Sequence, residues 1–402
     1  MKETTFEEQT KLIAGLAGIA PGGRPDRRMR TNLVHGHAEE DPVTGAMNAP
    51  VYLSSTFAHP SLEGSTGYYY SRVGNPTRLE LEDTVAMLEG GVKAWAMSSG
   101  MTAISTLLKL FKPGDRIVAS DDLYGGTYRL FSDIYGRYGL TFDYVDLTDW
   151  ERAEPLIAGA AAVFFETPTN PMMHVVDIRR VAQAAHDAGA LVVVDNTFLT
   201  PYLQRPFEFG ADVVIHSGTK YLCGHNDVTA GFLVLREPDL IEQVFNYAMS
   251  EGGFLSPTDC YLLLRSIKTL SVRMDRQQDN AAAIARWLKG NPHVTDVYYA
   301  GDPDSAGYEL MRRQASGFGA MISLRVDDEE RVRTTLERIR VISYAESLGS
   351  VESLMTFPFV QTHGAVPLEL RRSLGIDERL LRLSVGIEDA QDLIDDLAQA
   401  LA

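Results

Sequence analysis

Only two cysteines, Cys223 and Cys260, occur in the 402 residues, too few for a disulfide framework and in keeping with a reducing compartment. No apolar run approaches the roughly 18 residues that a membrane-spanning helix needs. The opening Met1-Lys-Glu-Thr-Thr-Phe-Glu-Glu8 is acidic, unlike a secretory signal. Positive charge is also scarce: 37 Lys and Arg stand against 54 Asp and Glu, a net charge of −17. Such a surface repels a phosphate backbone and argues against nucleic-acid binding. No Gly-x-Gly-x-x-Gly links a strand-like run to a helix, which counts against a nicotinamide oxidoreductase. His35 and His37 are one residue apart and His216 and His225 flank one loop, but no Cys/His/carboxylate group has metal-ligand spacing, so no metal is expected. Internal repeats and low-complexity segments are missing too. These absences leave a cytoplasmic protein that works on small molecules.

What is present is a long chain, 45% hydrophobic, able to bury a large core and expected to divide into two closely coupled domains. From Val51 to about Leu264, strand-like runs such as Val118-Ala119, Ala162–Phe165, Leu191–Asp195 and Asp212–Ile215 alternate with helical patterns. That alternation predicts an α/β fold with a mainly parallel sheet flanked by helices. From Arg265 a long helical pattern leads into short strands near Thr295–Tyr299, Ala320–Val326 and Leu381–Val385 before a last helix, the pattern of a smaller α+β domain. The expected division is an N-terminal extension and arm at 1–70, a large domain at 71–264 and a C-terminal domain at 265–402. Within the extension, 6–20 reads as a short amphipathic helix and 21–30 as a basic Pro/Gly linker.

The chemistry concentrates at two strand ends. Leu191-Val-Val-Val-Asp195 reads as a buried strand ending in a carboxylate, and Ala211–Ser217 as a second strand running into Lys220. In an open α/β sheet, ligands bind beyond such carboxyl ends, so both groups can reach one molecule. A lysine that can lose its proton when desolvated, paired with an aspartate, suggests pyridoxal 5'-phosphate, which needs an amine for a Schiff base and a carboxylate for its ring nitrogen. A lysine alone would read as a solvated strand end; the neighbouring motifs change that.

A dianionic phosphate needs clustered donors. Ala94–Met97, then Ser98-Ser-Gly100, then an apolar-periodic stretch to about Phe111 predict a strand, a tight turn and a helix start. The amides of Gly100 and Met101 are the candidate donors there, and Ser217 and Thr219 can add hydroxyls. Tyr68-Tyr-Tyr-Ser-Arg-Val-Gly-Asn-Pro-Thr-Arg78 reads as a loop in which Arg72 offers a cationic fork and Tyr70 a second donor.

Taken together, Tyr-Ser-Arg with Asn-Pro-Thr-Arg78, Ser-Ser-Gly-Met101, Leu123-Tyr-Gly-Gly-Thr127, Glu166-Thr-Pro-Thr-Asn-Pro171, Val194-Asp-Asn-Thr-Phe198 and the Lys220 block resemble the pyridoxal-phosphate enzymes of cysteine and methionine metabolism, from about Thr31 to Ala402. The resemblance implies the aspartate-aminotransferase-like fold type I of pyridoxal-phosphate-dependent transferases. It implies Lys220 as the Schiff-base lysine, Asp195 as the ring-nitrogen partner, Tyr124 stacked on the ring and Asn170 near the phenolic oxygen. Arg382 in Leu-Arg-Leu-Ser-Val-Gly386 would grip the substrate α-carboxylate, with Ser347, Glu346 and Arg129 as further substrate contacts. Tyr70 and Arg72 would reach the phosphate of a neighbouring subunit, so a homo-oligomer is expected, a homotetramer built from dimers.

Within that family the resemblance points to γ-chemistry. Glu346 in Tyr344-Ala-Glu-Ser-Leu-Gly349 resembles the position shared by cystathionine γ-synthases and γ-lyases, suited to a distal ammonium. Gly126 stands where methionine γ-lyases typically carry cysteine, and cystathionine β-lyases are less similar around Tyr124 and Glu346. Tyr128-Arg-Leu-Phe131, Gln204-Arg-Pro206 and Gln361-Thr-His363 are similar to bacterial cystathionine γ-synthases that also act as O-acetylhomoserine thiolyases. Gly317–Ser323 and Ser384–Asp389 are shared equally with lyases. The reading favours a synthase joining O-acylhomoserine and cysteine, with cystathionine γ-lyase as the alternative.

Overall fold

The computed structural model describes residues 27–402 apart from 38–40, 42, 63 and 365. The helix expected at 6–20 lies outside the described residues, as does most of the linker; Met29 and Arg30, read as linker, instead open the helix Met29–His35.

Strands β1 (Lys93–Met97), β2 (Arg116–Ser120), β3 (Thr141–Val145), β4 (Ala162–Glu166), β5 (Leu191–Asp195), β6 (Val213–Ser217) and β7 (Gly231–Leu235) form one sheet in the order β1-β7-β6-β5-β4-β2-β3. The block from β6 to β3 is parallel, and β7 runs antiparallel to both of its neighbours. Its strands are continuous apolar runs because both faces are covered. Val192, Val194, Phe165 and Val214 join a core on one face, while Val193, Phe164 and Ile215 join the core on the other.

Local signals start the helices that flank this sheet. Helix α1 (Pro76–Glu89) has proline in its first turn and Asn75 as N-cap, whose side chain accepts the Thr77 N–H at 3.0 Å. Helix α2 (Gly100–Leu108) is capped by Ser99, whose Oγ accepts the Thr102 N–H at 3.1 Å. It ends at Leu108, earlier than the expected Phe111, because Lys109, Leu110 and Phe111 donate to carbonyls three residues back, in a tighter turn.

Strands β8 (Val294–Tyr298), β9 (Met321–Val326), β10 (Ser343–Tyr344), β11 (Leu354–Thr356) and β12 (Leu380–Ser384) form a second sheet in the order β10-β11-β12-β9-β8, antiparallel except for β10 with β11. Helices α3 (Leu270–Lys289) and α4 (Ala390–Leu401) pack on it through Ile284, Leu288, Leu393 and Leu397. The same apolar cluster runs from Val192 in the first sheet to Leu324 in the second. Arg265, where the character of the sequence shifts, lies inside the helix Pro257–Ile267. Among the described residues, no helix is long and apolar enough to cross a membrane.

Candidate active site

The parallel block places the carboxyl ends of β4, β5 and β6 side by side, with Glu166 paired to Asp195 and Asp195 to Ile215. Lys220 follows β6 after a short turn. Across this edge lies a cavity of about 280 Å³. Lys220, Asp195, Tyr124, Asn170, Gly100, Met101, Ser217, Thr219, Glu346, Ser347 and Arg382 all line it. Arg129 does not: it sits exposed at the end of the helix Gly125–Arg129. Tyr70 and Arg72 are also outside it, on an exposed loop where the Arg72 guanidinium lies 5.6 Å from the Tyr70 ring centroid and donates to the Met249 carbonyl.

The amine of Lys220 donates to Ser347 Oγ at 2.9 Å. Burial, reinforced by the charge of Arg382 and opposed by Glu346, pushes this amine down to about 8. A sizeable neutral fraction is therefore present near neutral pH, as a nucleophile or proton acceptor requires. Ser347 holds a φ of 129°, a conformation that L-residues rarely adopt. Its backbone carbonyl also accepts from Arg382 Nη2 at 3.1 Å, so one strained residue ties the amine to the guanidinium.

Arg382 is buried, with Nη1 donating to Asn170 Oδ1 at 2.8 Å and Nη2 reaching Thr356 Oγ1 at 3.3 Å. Burial lowers its guanidinium to about 10. Among the described residues it makes no ion pair, and its Nε is buried without a partner, so a carboxylate entering the cavity meets an uncompensated cation.

Asp195 accepts the backbone N–H of Thr197 at 3.0 Å and the Thr197 hydroxyl, which in turn accepts the Ser217 N–H at 2.8 Å. Burial raises its carboxyl, while the Thr197 hydrogen bonds and His216 oppose that rise. Glu166 is driven well above the usual carboxylate range by burial and then by Asp195 beside it. Two carboxyls this close do not both ionise readily, and the hydrogen bonds around Asp195 make it the one that carries charge.

Glu166 and Thr197 were not singled out from the sequence. Glu166 ends a strand as Asp195 does, so the same strand-end rule applied to β4 identifies it; Thr197 is two residues beyond Asp195, within reach of a local side-chain bond. At α2, the amides of Gly100 and Met101 have no carbonyl one turn back within the helix, and both residues line the cavity. A Cβ on Gly100 would stand 3.1 Å from Ser217 Cα, so glycine lets the helix end approach β6 more closely than a residue with a side chain would without some displacement.

The profile of the Cys/Met metabolism PLP-dependent enzyme family matches residues 30–402. The chain belongs to this family. It is 46% identical, over 93% of its length and 96% of the other's, to the cystathionine γ-synthase/O-acetylhomoserine (thiol)-lyase of Bacillus subtilis (strain 168). It is 44% identical to a cystathionine β-lyase of Lactococcus lactis subsp. cremoris, covering 93% of this chain and 98% of that protein. A crystal structure of cystathionine γ-lyase from Lactobacillus plantarum complexed with L-serine superposes with a TM-score of 0.91 at 42% identity, covering 93% of this chain and 98% of the other.

The fold is thus that of the PLP-dependent trans-sulfuration enzymes, the cofactor is pyridoxal 5'-phosphate, and the substrates are small amino acids. The cavity suits that cofactor: a lysine amine lowered to about 8, a hydrogen-bonded aspartate, and helix-end amides held close by Gly100.

Proposed function

We propose that the enzyme is a cystathionine γ-synthase, which replaces the acyl-oxygen group of an O-acylhomoserine by the thiol of cysteine. The observation that carries this reading is the pairing of Arg382 and Glu346 in the cavity that contains Lys220, with both charges felt at the lysine amine. A cation for one end of the reactants and a carboxylate for the other match an α-carboxylate and a distal ammonium.

When bound, pyridoxal phosphate supplies the electron sink that acidifies the α-hydrogen of an amino acid and lets a γ-substituent leave. Lys220 would provide the amine that holds the cofactor and the base that takes the proton from Cα. Ser347 keeps that amine pointed into the cavity through its hydroxyl. Asp195 carries the negative charge for the ring nitrogen, backed by Thr197. Gly100, Met101, Ser217 and Thr219 would hold its phosphate, and Tyr124 would stack on its ring. Arg382, oriented by Asn170, takes the α-carboxylate. Glu346 takes the ammonium of the incoming cysteine.

The same charge pair fits the two ends of cystathionine, which favours cystathionine γ-lyase as the second reading. Methionine γ-lyase fits less well, because a side chain at Gly126 would run into the Tyr124 ring. Product analysis by mass spectrometry tests the choice, with O-acetylhomoserine plus cysteine in one tube and cystathionine alone in another. Cystathionine from the first with little breakdown in the second supports the synthase; rapid release of cysteine and 2-oxobutyrate in the second overturns it in favour of the lyase.

Tyr70 and Arg72 serve the phosphate of a neighbouring copy in a homotetramer of dimers. Support comes from the exposure of Tyr52, Leu53, Tyr69 and Tyr70 along this arm, more apolar surface than a free loop usually shows. Light scattering checks this, and a monomer that retains full activity would refute it.

A further inference from the structure

His363, in the motif Gln361-Thr-His363, stands outside the set of cavity-lining residues, yet it is almost fully buried beneath them. Its Nε2 lies 3.1 Å from the carbonyl oxygen of Leu123 and 3.1 Å from that of Asn170. Two acceptors at one ring nitrogen require that nitrogen to carry the proton, and Nδ1 then accepts from the Thr362 hydroxyl at 2.9 Å. Burial and the nearby charge of Arg382 push the imidazole down to about 4, so this neutral tautomer persists across the working pH range.

The two carbonyls are placed to matter. The Leu123 carbonyl and the Tyr124 N–H belong to a single peptide unit, and the N–H is held from the other side by Glu166 Oε1 at 2.9 Å. The peptide unit that places the Tyr124 backbone is therefore gripped at both ends, by the large sheet through Glu166 and by residues 357–364 through His363. Asn170, the second acceptor, receives Arg382 on its side chain at 2.8 Å. The approach is close: Thr362 lines the cavity, and a Cβ on Gly125 would run into the Thr362 carbonyl. Arg371 anchors the far side of the segment on the Phe359 carbonyl and ring.

We propose that His363 is a positioning residue whose one Nε2 proton joins the segment after β11 to Leu123 and Asn170, fixing at once the backbone from which the Tyr124 ring projects and the seat of Arg382. The stacking surface and the carboxylate grip are then set only when the segment beside the smaller sheet is docked. The inference rests on the roles given above to Tyr124 and Arg382.

The test uses holoenzyme carrying His363→Ala, His363→Gln and, in parallel, Arg382→Ala. Glutamine keeps an N–H near the position of Nε2, whereas alanine removes it. Visible circular dichroism of the bound cofactor reports the ring environment, steady-state kinetics report KM and kcat, and the melting point of the apoprotein reports general damage. His363→Ala should alter the visible dichroism and raise KM about tenfold, and His363→Gln should recover most of both changes. Unchanged dichroism and KM in His363→Ala overturn the proposal, as does a lowered melting point without either change. If Arg382→Ala raises KM and His363→Ala does not, the positioning role falls alone. If Arg382→Ala leaves KM unchanged, the carboxylate reading falls, and the dichroism decides for or against His363.

Discussion

The seven-stranded sheet delivers Glu166, Asp195 and Ser217 from the carboxyl ends of adjacent parallel strands, whereas the five-stranded sheet delivers Arg382 from the middle of an antiparallel strand and Glu346 and Ser347 from the connection before β11. On the first side, backbone register sets the spacing of the groups, and the Thr197 hydroxyl adds a link from Asp195 to the Ser217 N–H. On the second, position is set by side-chain bonds: Ser347 to Lys220, Asn170 to Arg382, His363 to the carbonyls of Leu123 and Asn170. The large sheet is the rigid floor of the site, and the small one closes it through a few replaceable contacts. Substitutions on the floor should remove function outright, while those on the closing side should weaken substrate capture by degrees.

The sharpest break is expected at Lys220. Lys220→Ala should lose turnover and covalent cofactor retention while the apoprotein keeps its far-ultraviolet dichroism; residual wild-type turnover would remove the lysine from its role. On the closing side, Arg382→Ala should act mainly on KM, raising it by about 10- to 100-fold, as expected for roughly 1.5–3 kcal/mol lost with a charged hydrogen-bonding partner. A collapse of kcat at unchanged KM would place Arg382 with the floor instead.

The smallest effect concerns pH. With its amine lowered to about 8, Lys220 in the apoprotein should capture added pyridoxal phosphate faster as pH rises, about tenfold per unit well below pH 8 and levelling above it. An ordinary lysine would keep gaining to about pH 10.4. Stopped-flow absorbance follows the capture, and a rate still climbing at pH 9.5 would show that burial and Arg382 do not shift the amine as described. In Arg382→Ala the levelling point should move upwards, because one of the two influences that lower the amine is removed.

How much of this was legible in the sequence follows the same division. The strands β4, β5 and β6 are short apolar runs that end in polar residues, so their boundaries could be read within two residues and the candidates Asp195 and Lys220 at or just beyond their ends. The start of α2 was legible from Ser99 and Gly100, but its apolar periodicity runs on to Phe111 through a tighter turn that the pattern does not distinguish from helix. Glu166 was missed although its signal was present. Arg129 was expected at the site, and the structure places it outside the cavity; Tyr70 and Arg72, expected to serve the phosphate of a neighbouring subunit, lie outside the cavity of their own chain. For His363, the local sequence shows only a polar turn; nothing in it indicates which carbonyls the imidazole meets.

By itself the sequence determined the α/β order of the elements, the two strand ends that carry Asp195 and Lys220, and the family, because each rests on local periodicity or on contiguous motifs. Only the tertiary structure decided that Arg382 reaches Asn170 across 212 residues, that Ser347 meets the lysine amine across 127, and that Glu166 shares its site with Asp195. Those contacts depend on how the two sheets dock. The burial that follows from docking, together with the charge of Arg382, lowers the Lys220 amine, and Arg382 makes no ion pair among the described residues; no local pattern in the chain records either.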